Sequence, residues 1–524
     1  MPYIMKHWVT FLYFTVWFGS MLWCTSGHFI YAEITPKWHC AIFGTTLFFF
    51  ISAGRAFHQS HPTLPFTTVS WAVMLCASSQ ALYGLLQKFG IYLPATTLPV
   101  CGSFDNPAGL SSALAFSLPF SLILTCSGKQ WQRIAAWTSV VLITGTIMVS
   151  ESRAGMLSAC TVFLAFFPIK RTGTRKALFW GIVTGFVAAI VFLYHYKKDS
   201  ADGRLLIWQC TWELIKESPL TGHGNGGFEA NYMHQQADFF RLHPESPYSR
   251  LADDVKSPFN EYLGLCVSYG LVGAFFLCAV IWIIYLAWRR HPHGSSSTAI
   301  LCLSSIAVFS LFSYPFRYPH TWFFCAVSIS LLLHNAYPVV WHKSRRAILS
   351  ACVLTATLIS LRDISQIRSE IRWCDTANRS LCGLTDKMLP TYRELYEELN
   401  KNPLFLYNYA AELNVAGHHA ESYRIGQECE SLMADYYTQL LQADNCKRLK
   451  RYEEAKRYLR QAALMCPNRF TPPYELFKIH HEESDTASMA QTAECILRKP
   501  IKVDSPEVRR ILSEIKKFKT DIRH

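Results

Sequence analysis

In a chain that is 51% hydrophobic and only 17% charged, the side chains capable of chemistry fall in four short stretches. Glu151-Ser152-Arg153-Ala154-Gly155 places an arginine between two apolar runs. DGRLLIWQCTWELIKESPLTGHGNGGFEANY, from 202 to 232, carries Arg204, Trp208, Trp212 and Ile215 at spacings that share one helical face. His223 then follows, among four glycines. ADDVKSPFNEYLGLCVSYGLVGAFF, from 252 to 276, holds Lys256, Asn260 and Glu261, and Tyr314-Pro315-Phe316-Arg317-Tyr318-Pro319 holds another arginine. Guanidinium groups bind phosphate oxygens bidentately, and a carboxylate or imidazole can accept a proton from a reacting hydroxyl.

Each stretch also has a plainer reading. An arginine facing hydrocarbon costs roughly 2–3 kcal/mol, so Arg153 either faces a polar cavity or snorkels to headgroups. Gly222, Gly224, Gly226 and Gly227 allow close backbone approach, which serves packing as well as a ligand. No strand precedes them, so a nucleotide-binding turn lacks its context. Asn260 or Ser257 can cap a helix whose positive end favours Glu261.

The elements that must position these residues are mostly apolar blocks. A span needs about 20 apolar residues, and blocks of about that length lie near 8–26, 38–54, 66–87, 107–127, 134–151, 154–169, 177–195, 261–288, 298–316, 322–341 and 347–361. The first reads as a span and not a cleaved signal, because no small-residue cleavage site follows it and further spans do. Short loops on one side carry Lys6, Arg55, Lys129, Arg133, Lys170, Arg171, Arg175, Lys176, Arg289, Arg290, Lys343, Arg345 and Arg346. Those on the other side carry only Lys37, Lys88, Arg153 and Arg317. The basic excess marks the cytoplasmic face, which places the N-terminus inside and both the 196–260 loop and the tail outside. The expected architecture is all-α: a polytopic membrane domain over 1–361 with about eleven transmembrane helices, a linker at 362–389, and a soluble helical repeat domain over 390–524.

In the tail, residues 403–432 and 441–467 read as paired amphipathic helices, with Ala420 and Ala455 at equivalent points 35 positions apart, and a looser third unit follows. A period of about 34 residues with Pro closing the second helix resembles tetratricopeptide repeats, whose stacks offer a surface for a partner such as an envelope protein. The alternative is a plain helical bundle. The formal charge of +13 sits largely in short loops between spans, so it marks topology and not nucleic-acid binding. Cysteines are scattered through the spans, with no CxxC pair to suggest zinc. No cofactor or metal is expected. Six further cysteines (Cys374, Cys382, Cys429, Cys446, Cys466, Cys495) lie in the tail, where an oxidising compartment permits disulfides.

FDNPAG at 104–109, ESRAG at 151–155, Arg204 with Trp208, SPLTGHGNGGF at 218–228 and FNEYLGLCVSYGLVG at 259–273 together resemble the bacterial O-antigen ligase and O-antigen polymerase superfamily, which includes protein O-oligosaccharyltransferases. The resemblance implies transfer of a glycan from undecaprenyl pyrophosphate to a hydroxyl on the periplasmic side of the inner membrane, without a metal. The acceptor is lipid A core in ligases, a growing glycan in polymerases, and a protein side chain in oligosaccharyltransferases. Arg153, Arg204, Arg317 and Lys256 are then the candidates for the pyrophosphate and glycan, and Glu261, His223 and Asn260 for the catalytic group. The sequence departs from the family pattern at Phe259, where a histidine usually precedes the asparagine and is favoured for activating the acceptor. Phenylalanine cannot take a proton, which leaves Glu261, His223 or no base at all. Polymerase is the nearest alternative function, and a non-catalytic membrane-anchored repeat scaffold is one of another class. A transporter fits poorly, because the charges do not gather at mid-membrane.

Overall fold

Apolar stretches that cannot hydrogen-bond to water must satisfy their backbone internally, so they wind into helices. The computed structural model describes residues 2–58, 66–93, 97–166, 198–337 and 345–521, with single positions between 181 and 195. Every regular element among these residues is helical. The protein is an all-α membrane protein. Against the roughly eleven spans expected, Phe66–Lys88, Pro107–Leu124, Gln130–Val149, Glu261–Arg290 and the run Ala347–Leu399 are long and apolar enough to cross a membrane, while Trp8–Trp23, Arg153–Phe166 and Ser295–Ser310 are shorter apolar helices. The expected span at 177–195 lies almost wholly outside the described residues, as do Lys170, Arg171, Arg175, Lys176 and Lys343.

The helices in chain order are α1 (Pro2–Trp23), α2 (Thr35–His58), α3 (Phe66–Lys88), α4 (Pro107–Leu124), α5 (Gln130–Val149), α6 (Arg153–Phe166), α7 (Lys198–Glu217), α8 (Gly227–Leu242), α9 (Glu261–Arg290), α10 (Ser295–Ser310), α11 (Pro319–Ala336) and α12 (Arg345–Arg379). The tail adds α13 (Thr385–Leu399), α14 (Pro403–Val415), α15 (His419–Leu432), α16 (Tyr436–Arg448), α17 (Tyr452–Met465), α18 (Thr471–Glu482), α19 (Thr486–Arg498) and α20 (Pro506–Asp521). Residues 362–389, expected as a linker, are helical: α12 runs through Arg379 and a π-turn at Ser380–Leu384 leads into α13. The rise in charge there signals exposure, not the end of a helix.

The chain divides into two compact units. One comprises Met1–Tyr196, Phe259–Tyr262 and Phe275–Ile371; the other comprises Lys197–Pro258, Leu263–Ala274 and Arg372–His524. The second unit thus groups the large loop with the tail.

In the first unit α4 is the central helix, 83% buried where α9 is only 17% buried, and it packs against α3, α5, α6, α10 and α11. Its serines and alanines let neighbouring backbones come close: a Cβ added at Gly155 of α6 would lie 2.7 Å from Ser111 Cβ. Pro119 lies inside α4 and cannot donate to the carbonyl four residues earlier. That carbonyl, on Ala115, accepts from Ser305 Oγ of α10 at 3.3 Å, and Ser305 in turn bonds Ser158 of α6 at 2.7 Å. Also in the first unit, buried His39 Nδ1 lies 3.0 Å from both oxygens of Asp363, and Thr46 Oγ1 lies 2.8 Å from Ser360 Oγ, tying α12 to α2.

In the second unit the tail forms three successive helix hairpins, α14–α15, α16–α17 and α18–α19. The turns inside them use left-handed residues, Gly417 (φ 82°), Lys450 (φ 60°) and Ser484 (φ 60°), spaced 33 and then 34 positions apart. Asn402 and Asp435 cap the first helices of successive hairpins through the same two following N–H groups. Ala420, expected to match Ala455, is exposed; the matching buried position is Ser422, which donates to Ala410 O at 2.7 Å. Both Ser422 and Ala455 are fourth in their helices, so helix registration and not residue type locates the equivalence.

The proline–serine relation in the first unit is testable by a double-mutant cycle. Ser305→Ala should lower the thermal stability of the detergent-solubilised protein by about 1 kcal/mol. The same change in a Pro119→Ala background should cost measurably less, because α4 then satisfies Ala115 O itself.

Candidate functional site

In the first unit the polar residues at one end of the helices gather around segment 314–318. The loop before α4 is fastened there by Asn106. Its Oδ1 caps α4, accepting from Ala108 N at 2.8 Å and Gly109 N at 3.1 Å, while its Nδ2 donates to Tyr318 Oη at 2.8 Å and Tyr314 Oη at 3.2 Å. Tyr318 is fully buried, edge-on to Phe104 and stacked on His320, and its hydroxyl donates to Asp105 Oδ1 at 2.7 Å. The other carboxylate oxygen of Asp105 lies 3.9 Å from Arg317 Nη2.

Arg317 is the exposed cation of this cluster, its side chain 40% accessible. Its guanidinium lies over the rings of Tyr31 at 5.6 Å and Tyr314 at 5.9 Å. Burial pulls its pKa down, but Asp105 and the surrounding phenols outweigh that and hold it above the ordinary value. Two indoles clamp the backbone: Trp38 Nε1 donates to Arg317 O and Trp322 Nε1 to Phe316 O, each at 3.0 Å. The same two tryptophans line an apolar cavity of about 810 Å³ between α1, α2, α11 and α12, which extends to Asn335 and Ile348.

Residues 259–262 belong to this unit. Phe259 adopts a left-handed conformation (φ 52°), strained for an aromatic residue, and its ring meets Tyr314 edge-on at 5.3 Å. Asn260 Oδ1 accepts from Tyr262 N at 3.0 Å, a cap for α9. Glu261 Oε1 accepts from Phe316 N at 3.0 Å, so this carboxylate holds the segment that carries Arg317. Arg153 opens α6, half-buried, beside Ser152, whose Oγ accepts from Gly155 N at 3.3 Å and from Ser111 of α4 at 2.6 Å. Asp105, Asn106, Tyr314 and Tyr318 were absent from the sequence-derived candidates. Their signal lay in FDNPAG and YPFRYP, but the pairing spans over 200 residues and has no local periodicity.

In the second unit α7 buries Leu206, Ile207, Cys210, Thr211 and Leu214. This leaves Trp212 exposed and Arg204 and Trp208 half-buried. Trp208 Nε1 donates to Pro258 O at 2.9 Å. The glycine-rich turn packs on protein backbone. Helix α9 breaks at Gly270 (φ 56°, ψ −150°), and the turn takes up the backbone groups exposed by the break. His223 N donates to Val267 O at 2.7 Å and Gly224 N to Ser268 O at 2.9 Å; in return Leu271 N and Val272 N donate to Pro219 O and Leu220 O. A Cβ on Gly222 would sit 2.5 Å from the Ser268 carbonyl carbon, and one on Gly270 2.4 Å from that of Leu220. His223 Nε2 lies 2.9 Å from Leu214 O, pinning the turn to α7.

Lys256 lies between two carboxylates, 3.2 Å from Asp254 and in direct contact with Asp435 of the tail. Burial draws its pKa down, but Asp435 and Asp254 more than offset it. Burial, reinforced by Asp435 and opposed by Lys256, pushes the Asp254 carboxyl up to about 6. Further bonds join loop and tail. Gln236 donates to Met465 O at 2.6 Å, Asn468 to Arg250 O at 3.2 Å, Arg469 to Asp253 at 2.7 Å and Ala434 N to Glu229 O at 2.9 Å, while α8 packs along α17. Among the described residues no three His, Cys, Asp or Glu side chains are grouped to hold a metal.

The family model described as O-antigen ligase matches residues 138–278, from α5 through the kink of α9. This supports the ligase and polymerase superfamily. A Haemophilus influenzae protein described as uncharacterized is 24% identical over 207 residues, 38% of this chain and 47% of that protein. The match therefore spans about half the length of this curated relative.

Gly270→Ala should destabilise the protein by about 1–3 kcal/mol through backbone strain alone, and more because its Cβ meets Leu220. Thermal unfolding in detergent checks it. Because folding raises the Asp254 pKa from 3.8 to about 6, its contribution is fully present below pH 4 and lost as pH rises through 6. Hydrogen exchange over 227–258 should therefore quicken between pH 5 and 7 in the wild type and change less in Asp254→Asn. Lys256→Met should quicken it at both pH values.

Proposed function

We propose that the protein is an O-antigen ligase-like glycosyltransferase, moving an oligosaccharide from undecaprenyl pyrophosphate to an acceptor hydroxyl of lipid A core or protein at the periplasmic face of the inner membrane. The observation that carries this reading is Arg317, a permanently charged guanidinium whose flanking backbone is held by the two tryptophans at the apolar cavity. A lipid-linked donor has the matching chemistry, an anionic diphosphate joined to a long hydrocarbon chain. The diphosphate binds the guanidinium bidentately, and the chain occupies the cavity. Charge developing on the leaving pyrophosphate is stabilised by a donor already in place.

Arg153 joins Arg317 at the pyrophosphate in this reading, and Arg204, half-buried on α7, is assigned to the glycan. Lys256 contributes through the ion pairs that hold the loop to the tail. Asn260 and Glu261 act by shaping the segments on either side of Phe259, and His223 by fixing the glycine-rich turn. The tetratricopeptide-like hairpins hold the large loop as their partner. That occupancy favours the transferase over a scaffold whose repeats await an envelope protein.

Deletion of the gene should remove a glycan from one acceptor class, seen by gel and mass spectrometry of surface glycolipids and glycoproteins, and wild type should restore it. Arg317→Ala and Arg204→Ala, produced at wild-type levels, should each restore it at least about 100-fold less efficiently. A shortened glycan still attached to its acceptor would assign polymerase activity instead. Unchanged glycans on every acceptor class would overturn the transferase reading.

A further inference from the structure

We infer that Asp105 is the catalytic carboxylate that receives the acceptor's proton, an assignment that rests on the transferase reading. Three features of the first unit converge on this side chain. It stands beside the arginine assigned to the leaving pyrophosphate, with Oδ2 3.9 Å from Arg317 Nη2. That separation exceeds a hydrogen bond, and the carboxyl side chain is 23% accessible. Its orientation is set from the far side, where buried Tyr318 donates to Oδ1 at 2.7 Å and leaves Oδ2 directed toward the guanidinium. Its position is set by the next residue, since Asn106 bonds Tyr314, Tyr318 and two N–H groups of α4 at once.

The other candidate bases are placed differently. Glu261 turns Oε1 to the backbone N–H of Phe316 and so braces segment 314–318, His223 Nε2 faces Leu214 O within the second unit, and Phe259, whose ring packs on Tyr314, has no proton acceptor. A carboxylate suffices as base because the hydroxyl gives up its proton only as its oxygen bonds to carbon. In the step itself, the acceptor oxygen forms a bond to the anomeric carbon as the bond from that carbon to the pyrophosphate oxygen breaks. The electron pair leaves on the pyrophosphate, held by Arg317, and the hydroxyl proton passes to Asp105 Oδ2 and then to water.

The test uses the full-length protein in liposomes, with the host's undecaprenyl-pyrophosphate glycan and acceptor, and compares Asp105→Asn and Asp105→Glu with wild type. An asparagine oxygen still accepts from Tyr318, so the fold is preserved while the base is lost. Asp105→Asn should bind the donor within about twofold of wild type and transfer it at least about 100-fold more slowly at saturating donor, with Asp105→Glu recovering part of the rate. Transfer by Asp105→Asn at the wild-type rate would overturn the assignment. So would a defect that saturating donor abolishes, since Asp105 would then serve only to set Arg317. A wild-type protein that binds the donor and transfers nothing would instead sink the transferase reading, and this assignment with it.

Discussion

The hydrogen-bonding demand of backbone groups in apolar surroundings organises this protein more than any single contact between side chains. A peptide group left unpaired away from water costs on the order of several kcal/mol, so each interruption of a helix must be answered from elsewhere. Pro119 interrupts α4 and is answered by Ser305. Gly270 interrupts α9 and is answered by the turn at 219–224, through four reciprocal backbone bonds. The start of α4 is answered by Asn106. In the first two cases the partner comes from a distant part of the chain, so the repair of a helix also decides which segments meet.

The candidate site follows from the last of these repairs. Asn106 can cap α4 with its oxygen while its amide nitrogen faces the other way, and that nitrogen collects two tyrosine hydroxyls. The tyrosines bracket Arg317, and one of them orients Asp105. A cation and a carboxylate are thereby gathered by a residue whose first duty is to start a helix. Glu261 serves the same end from the start of α9 by accepting the N–H of Phe316. Every member of the arrangement has a backbone or buried partner, which is what preorganisation of a binding site requires.

The large loop and the tail show the same economy. Asp435 caps α16 with one oxygen and meets Lys256 with the other, so a repeat hairpin and the end of the loop are held by a single carboxylate. Gln236, Asn468 and Arg469 extend that seam with bonds to backbone and side chain. The loop carrying Arg204 and His223 is thus a folded part of the second unit.

The sequence by itself determined the class of the molecule. Apolar blocks separated by short polar loops allow little besides a helical membrane protein, and the tail's period of about 34 residues reappears in the spacing of Gly417, Lys450 and Ser484. The motifs containing Arg153, Arg204 and Glu261 were legible because their residue types are costly in apolar surroundings wherever they stand. Tertiary structure alone decided what those residues touch. That the glycines at 222–227 receive a broken helix, that Lys256 belongs to an ion-pair cluster, and that Asp105 stands at Arg317 all depend on contacts between segments remote in the chain. Periodicity and spacing report only the neighbours along one element. Pairing across 40 to 200 residues is set by which helices pack, a property of the whole core.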